Sequence, residues 1–314
     1  MIDIEDIHTA AARIEGNIRR TPMIAATNLK TPLTGSIELM LKLELLQVTG
    51  SFKARGATNK LLSLDRAAMR GGIVAASGGN HGIATARAGF MAGVPTTIFL
   101  PSNAAPAKIE KLEAWGAATR IIGSAWHESN EAAQAFARET GAVYFHPFAD
   151  AAVVAGQGTV GLEILHQMPD VTTVLVAIGG GGLISGVSTA MRALAPHVRI
   201  VGIEAAGSPA LLRGLEVGHN VTLDEITTSV ATMACARTDD RIFDIVRRNV
   251  DEIVLVDDAE MLHAAKNLWF EMGLAADLSG AAALAALAEG RVQVNSGERI
   301  CAIVCGAGPD AILD

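Results

Sequence analysis

The sequence predicts an α/β protein of two doubly wound, mostly parallel open-sheet lobes. Three observations carry that prediction. Strand-like and helix-like segments alternate along the 314 residues, the beat that parallel strands joined by helical crossovers impose. The strand-like segments are unbroken runs of Val, Ile, Leu and Ala, as strands covered on both faces need. Glycine, at 32 residues, concentrates just after those strands, at the carboxyl ends where open α/β sheets bind ligands. A chain of this length also exceeds one ordinary domain and suits two lobes with a cleft between them.

The elements follow in order. The opening MIDIEDIHTAAARIEG is acidic and helix-like. It has neither a basic leading region nor an apolar stretch, so no signal peptide is expected. IELMLKLEL (37–45) reads as a strand and SFKARGATNKLLSL (51–64) as a helix. GIVAAS (72–77) is a strand ending in a glycine loop, with a helix in HGIATARAGFMAG (81–93). TTIFLP (96–101), APAKIEKLEAWGA (105–117), TRIIG (119–123), NEAAQAFARETGA (130–142) and VYFHPF (143–148) continue the alternation. VTTVLVAI (171–178) is a buried strand followed by four glycines and a helix. RIVGIEA (199–205), EIVLVD (252–257) and ERICAIVCG (298–306) complete the strands.

Composition excludes several classes. Hydrophobic residues at 50% and charged residues at 18% provide a large core. The net charge of −8 disfavours nucleic acid or an anionic membrane as partner. No apolar run is long enough to span a bilayer. Three cysteines, Cys235, Cys301 and Cys305, are too few for a disulfide framework, so a reducing cytoplasm is expected.

Three loops carry chemistry. Gly179, Gly180, Gly181 and Gly182, with Leu183, end a strand and open a helix. Successive residues without side chains expose main-chain N–H groups in a nest, and the helix dipole adds positive potential. That suits a phosphate, although a tight packing turn needs the same residues. It is neither a Walker loop nor a dinucleotide fingerprint. Lys53 lies at a helix start among small and apolar residues, where dipole and desolvation both disfavour the ammonium. A neutral amine there can form a Schiff base, although most lysines are solvated surface charges. Ser77-Gly78-Gly79-Asn80-His81-Gly82 offers a hydroxyl, an amide and free N–H groups to a carboxylate. Its plainer reading is a helix cap at Ser77 or Asn80.

Lys42-Leu43-Glu44, then Gln47 to Ala57 around Lys53, then SGGNHG, then GGGGL, in that order, resemble the serine/threonine dehydratases. These are pyridoxal-phosphate (PLP) enzymes of the tryptophan-synthase-β-like fold. The likeness runs from Arg20-Thr21-Pro22 through HPF (146–148), AGQGTVGLEI (155–164) and GIE (202–204) to CGAG (305–308), nearly the whole chain. It implies a large domain of residues 1–72 and 148–314, a small domain of 73–147, and PLP in the cleft. It implies that Lys53 is the Schiff-base lysine and the base for the α-proton, with Phe52 beneath the pyridine ring. Asn80 would bond the phenolic oxygen. Ser77, Gly78, Asn80 and the main chain of His81 would hold the substrate carboxylate, with Ser77 sharing the catalytic work. Gly179 to Leu183 would bind the phosphate, which the family suggests as acid for the departing hydroxyl. Cys305 would sit beside the pyridine nitrogen. A thiol cannot keep that nitrogen protonated as an aspartate would, so elimination is favoured over transamination. The expected activity is loss of water from a small L-β-hydroxy amino acid, giving a 2-oxo acid and ammonia. A homodimer is the family default.

The sequence also departs from the family. Relatives that racemise serine carry a second serine where Gly78 stands, so little racemisation is expected. Glu204 is followed by Ala206, Gly207, Ser208, Pro209 and Ala210, which leaves the family's cation site incomplete, and no metal is expected. The loop over the cofactor reads Ala231-Thr232-Met233, the Glu-Pro-Ser-Gly segment reads Asp277-Leu278-Ser279-Gly280, and the last motif ends in Gly308. These changes keep open a more polar substrate of the 3-hydroxyaspartate or hydroxyectoine-pathway type. β-Replacement chemistry, and silent binding of PLP or an amino acid, also stay open. The chain's end soon after its last strand argues against an allosteric carboxy-terminal domain.

Among the remaining residues, Cys301 and Cys305 would lie roughly 13 Å apart on one strand, too far to share a metal. His146 reads as structural, Arg55 as half of an ion pair, Lys42 as a surface or supporting residue, and Asp239-Asp240 as a solvated loop.

Overall fold

A computed structural model describes residues 2–34, 37–102, 104 and 106–312. The chain opens on helix α1 (Ile4–Ile14), strands β1 (Met23–Ala25) and β2 (Glu38–Lys42), and helix α2 (Lys53–Leu62). Next come β3 (Ile73–Ala76), α3 (Asn80–Ala92), β4 (Thr96–Leu100), α4 (Pro106–Ala114), β5 (Ala118–Ile121), α5 (Trp126–Thr140) and β6 (Val143–Tyr144). The remainder is α6 (Ala151–Gln167), β7 (Thr173–Ala177), α7 (Gly182–Leu194), β8 (Arg199–Ala205), α8 (Ala210–Val217), α9 (Asp240–Asn249), β9 (Glu252–Val256), α10 (Asp258–Met272), α11 (Leu278–Ala288) and β10 (Arg299–Ile303).

Two sheets form, as the alternation predicts. The larger has the order β1-β2-β10-β7-β8-β9, the smaller β5-β4-β3-β6. Every pairing is parallel except β1 with β2. The last strand, β10, runs between β2 and β7, with Ala302 level with Leu41 and Leu175. Both faces of the smaller sheet are covered. Ile73 and Ala75 of β3 join a cluster with Ile83 and Ala84 of α3, while Val74 and Ala76 join Ala133 of α5. That is the two-residue period of a strand dividing its side chains between two helix layers. Among the described residues no helix is long and apolar enough to cross a membrane.

Glycines bring α2, α6 and α7 into near-backbone contact. A Cβ on Gly156 would meet the Cα of Gly56 at 2.7 Å, and one on Gly186 would meet the N of Gly158 at 2.5 Å. This closeness fixes where α2 starts, and Lys53 is its first residue.

A buried charge cluster fixes α2 further. The guanidinium of Arg55 donates through Nε and Nη2 to both Glu44 oxygens, each at 2.7 Å, and through Nη1 to Glu163 at 2.6 Å. Lys42 Nζ donates to Glu163 at 2.5 Å, Gln167 at 2.8 Å and the Thr21 carbonyl at 2.9 Å. Arg55 is therefore paired, as expected. Lys42 is fully buried, so of its two readings, surface or supporting, the structure overturns the first. Burial works to lower its pKa, and Glu163 works against that.

Two further readings change. The strand over 37–45 stops at Lys42 and gives way to a 3-10 turn at Glu44–Leu46. The turn delivers the Glu44 carboxylate to Arg55, a partner that residue periodicity does not reveal. The Asp239-Asp240 pair is solvent-accessible, as read, but opens a helix instead of lying in a loop: Asp239 caps α9, accepting from the main-chain N of Arg241 at 2.9 Å.

Candidate active site

Lys53 begins α2, and its Nζ donates to the main-chain oxygen of Pro147 at 2.8 Å. Its amine lies 5.1 Å from the centre of the Phe52 ring. Burial pulls its pKa down to about 8, the thiols of Cys305 and Cys235 working the other way. A larger fraction of free amine near neutral pH is what a Schiff-base lysine requires.

Pro147 leads to the glycine tetrad. The next residue, Phe148, lays its ring where a Cβ on Gly180 would stand, and its Cβ and main chain lie 3.0–3.4 Å from where one on Gly182 would be. Gly181 takes the left-handed conformation at φ +86°, and no side chain caps the start of α7. The first-turn N–H groups of a helix have no acceptor within it, so those of α7 are available to an anion. Thr238 Oγ1 fixes the loop by donating to the Gly180 carbonyl at 2.8 Å.

The asparagine loop stands opposite. Asn80 begins α3, and Gly79 is its N-cap with no side-chain cap bond, so neither Ser77 nor Asn80 caps the helix. Ser77 Oγ accepts from the N–H of Gly79 at 3.3 Å. Asn80 Nδ2 donates to Asp277 Oδ2 at 2.9 Å. The His81 ring turns into the core, where Nε2 meets the Phe145 carbonyl at 2.8 Å. Burial, with the nearby Lys53 charge, lowers its pKa to about 3, so only its main chain is offered to the cleft. A Cβ on Gly78 would press on Leu100 Cδ2 at 3.1 Å, the far end of a flexible side chain.

Cys305 closes the set. It lies beyond the end of β10 at Ile303, so Cys301 and Cys305 do not share a strand. The Cys305 carbonyl accepts from the Phe52 N–H at 3.2 Å, tying it to the lysine loop. Its Sγ is 3.8 Å from Ser279 Oγ. Burial drives its pKa strongly upward, with Asp277 adding to the effect, so it is a thiol.

Contacts thus link Phe52 with Lys53 and Cys305 directly, Cys305 with Asn80 through Ser279 and Asp277, and Lys53 with the tetrad through Pro147 and Phe148. Ser77 and Gly78 are a step removed, reached through Gly79 and Thr232. The last two have 3.9 Å between Thr232 Cγ2 and a Cβ built on Gly79. Thr232 also abuts the tetrad, its carbonyl 2.5 Å from a Cβ on Gly179.

Four contributions escape sequence reading: the Pro147 carbonyl, the Phe148 ring, Thr238 and the Asp277 carboxylate. Main-chain acceptors leave no residue signature. Asp277 does leave one, as an aspartate three residues before a glycine at the head of an alanine run, but that signature indicates a helix cap and not a bond to Asn80.

The parts fit PLP. Uncapped helix N–H groups suit its phosphate, an amine of lowered pKa its aldehyde, an amide its phenolic oxygen, a thiol its ring nitrogen and a phenyl ring its face. The Glu204 carboxylate is turned instead to α8, accepting from the N–H groups of Leu211 and Leu212, both at 2.9 Å. Burial lifts its pKa to about 7. Among the described residues no three His, Cys, Asp or Glu side chains are grouped to hold a metal ion.

Residues 14–306 match the family model described as "Pyridoxal-phosphate dependent enzyme", and the chain belongs to that family and uses PLP. More particularly, it is 39% identical over 300 residues to an L-threonine ammonia-lyase of Geobacter sulfurreducens, covering 96% of this chain and 74% of the relative. It is 37% identical over 310 residues to one from Thermotoga maritima, covering 99% and 76%. The fold superposes on that of maize serine racemase with a TM-score of 0.92, at 34% identity, over 97% of this chain and 93% of the other.

Proposed function

We propose that the chain removes water from a small L-β-hydroxy amino acid, with threonine and serine the first candidates. The products are a 2-oxo acid and ammonium. The observation that carries this reading is the Lys53 amine, half-buried and partly deprotonated near neutral pH, set among a phosphate-type nest, an amide and a thiol. The kinship with L-threonine ammonia-lyases supports it.

Bound PLP supplies an electron-withdrawing ring conjugated to the substrate's α-carbon. The chain's own residues do the rest. The first turn of α7 holds the phosphate. Phe52 would lie under the ring, Asn80 would address the phenolic oxygen and Cys305 the ring nitrogen. The N–H groups at the start of α3, with Ser77, Gly78 and Asn80, orient the substrate carboxylate. Lys53 Nζ takes the α-proton. Residues 73–147 act as a small domain against a large one of 1–72 and 148–314. The protein works as a cytoplasmic homodimer.

The test is 2-oxo acid release by the PLP-loaded protein across a panel of β-hydroxy amino acids. Release from threonine or serine is expected. Release only from 3-hydroxyaspartate would assign the Thr232-Met233 loop to specificity. No release from any member would move the reading to β-replacement or to binding.

A further inference from the structure

Asp277 is put to two uses by the folded chain. As N-cap of α11 its Oδ1 accepts from the Gly280 N–H at 2.6 Å. The same oxygen accepts from Ser279 Oγ at 2.7 Å, and Oδ2 from Asn80 Nδ2 at 2.9 Å. Behind Ser279 stands Cys305, with Sγ at 3.8 Å. The approach depends on Gly306, where a Cβ would lie 2.5 Å from Asp277 Oδ2 and 2.8 Å from Asn80 Nδ2. A helix cap needs one acceptor oxygen, so the bonds to Asn80 and Ser279 are beyond what capping requires.

The three donors define the hydrogen positions. An ionised carboxylate only accepts, and main-chain and amide N–H groups only donate. Burial raises the Asp277 pKa, and the bonds from Ser279, Asn80 and the Gly280 N–H work against that; in the ionised form those donors favour, Asn80 must turn its amino group toward Oδ2, which leaves its second N–H for another acceptor. Ser279 must donate to Oδ1, so its oxygen lone pairs face the Cys305 thiol. The thiol hydrogen is then committed to Ser279, and sulfur lone pairs are what Cys305 presents elsewhere.

We propose that Asp277 is a positioning residue that sets the hydrogen-bond direction of both Asn80 and Cys305, and so how each addresses the PLP ring. This rests on the reading of Asn80 and Cys305 as ring contacts. An amide presenting N–H stabilises an anionic phenolic oxygen, while a sulfur presenting lone pairs gives the ring nitrogen no proton.

The test uses the full chain with Asp277→Asn, Ser279→Ala and Asn80→Ala. Asparagine retains the size and the cap, but places an amino group against that of Asn80. Ser279→Ala cuts only the branch to Cys305. Three quantities are read: PLP affinity by absorbance titration, the pH midpoint of the bound cofactor's visible band, and melting temperature without PLP. Asp277→Asn is expected to weaken PLP by about tenfold or more and to move the midpoint by about one pH unit. Ser279→Ala should move the midpoint while affinity stays within about threefold. Melting temperatures should stay near the parent's. If Asp277→Asn does not fold, the Ser279→Ala midpoint decides. An unmoved midpoint in Ser279→Ala, or parental affinity in Asp277→Asn beside a weakened Asn80→Ala, overturns the proposal. Parental affinity in Asn80→Ala removes its premise.

Discussion

The main-chain oxygen of Pro147 holds the amine of Lys53 at 2.8 Å, and the next residue, Phe148, lies against Gly180 and Gly182. One dipeptide thus spaces the nucleophile from the nest. A carbonyl acceptor adds no charge, so it orients the amine while the lowering of its pKa by burial stands. Capture of PLP by the apoprotein should therefore rise with pH about a midpoint near 8, where a solvated lysine would titrate near 10.5. Stopped-flow absorbance across pH 6.5 to 10.5 reads this directly. Lys53→Ala should abolish turnover with circular dichroism unchanged, and an active variant would refute the assignment.

How much of this was legible beforehand depends on the kind of interaction. Continuous apolar runs predicted β3, β7 and β8, since strands covered on both faces leave that record. The run 37–45 misled because Leu43 and Leu45 are buried in a turn whose purpose is to bring Glu44 to Arg55. Lys53, Asn80 and the tetrad are singled out by the likeness of their motifs, taken in order, to the family's, since each loop alone also fits a surface lysine, a helix cap or a packing turn. The Pro147 acceptor and the Asn80–Asp277 bond depend on tertiary placement across a sequence separation of 94 and 197 residues, which no local pattern records.

The buried cluster of Arg55, Glu44, Lys42 and Glu163 supports stability only while complete. Removing one partner of a buried pair leaves a charge without compensation, at a cost of about 3–5 kcal/mol. Arg55→Ala should fall in that range by urea denaturation and release the start of α2. PLP affinity should fall with it. A loss below about 1 kcal/mol, the range of exposed pairs, would show that the cluster is solvated.

The tetrad makes a prediction that separates its members. A Cβ at Gly180 would overlap the Phe148 ring, displacing the residue that follows the Lys53 anchor. Gly180→Ala should lower PLP affinity by about tenfold or more, about 1.4 kcal/mol. Gly116→Ala is a control for substitution away from the site, since nothing lies within 4 Å of its Cβ; its positive φ of +77° should cost some stability and leave PLP affinity unchanged. Equal PLP affinities in both variants would argue against a fitted nest.

Gly78 has no side chain from which to deliver a proton to a substrate carbon. The parent should therefore accumulate no D-serine from L-serine, as chiral chromatography would show. Gly78→Ser should fold, because the nearest obstacle to its Cβ is the flexible end of Leu100 at 3.1 Å. It should show a measurable D-serine yield. Racemisation by the parent at a rate comparable to elimination would mean that another group delivers the proton.

Acid should destabilise the protein through buried neutral histidines. Burial chiefly lowers His81 from 6.5 to about 3 and His146 from 6.5 to about 4. Below pH 6.5 the unfolded chain takes up protons that these two refuse, so stability falls with falling pH, by up to about 1.4 kcal/mol per unit for each. Glu204 has the opposite sign. Burial raises it from 4.5 to about 7, so the folded state holds the extra proton and stability falls as pH rises through that window. Burial raises the Asp277 carboxyl as well, so Glu204 and Asp277 together oppose the histidines, and that opposition lapses as pH falls through the unfolded carboxyl values of 4.5 and 3.8. Denaturation midpoints measured without PLP should therefore decline gently below pH 6.5 and more steeply below 4.5. His81→Gln, which cannot titrate, should be less stable than the parent at pH 7 for loss of the Phe145 bond, yet lose less on acidification. A parallel pair of curves would mean that His81 is not the group that titrates.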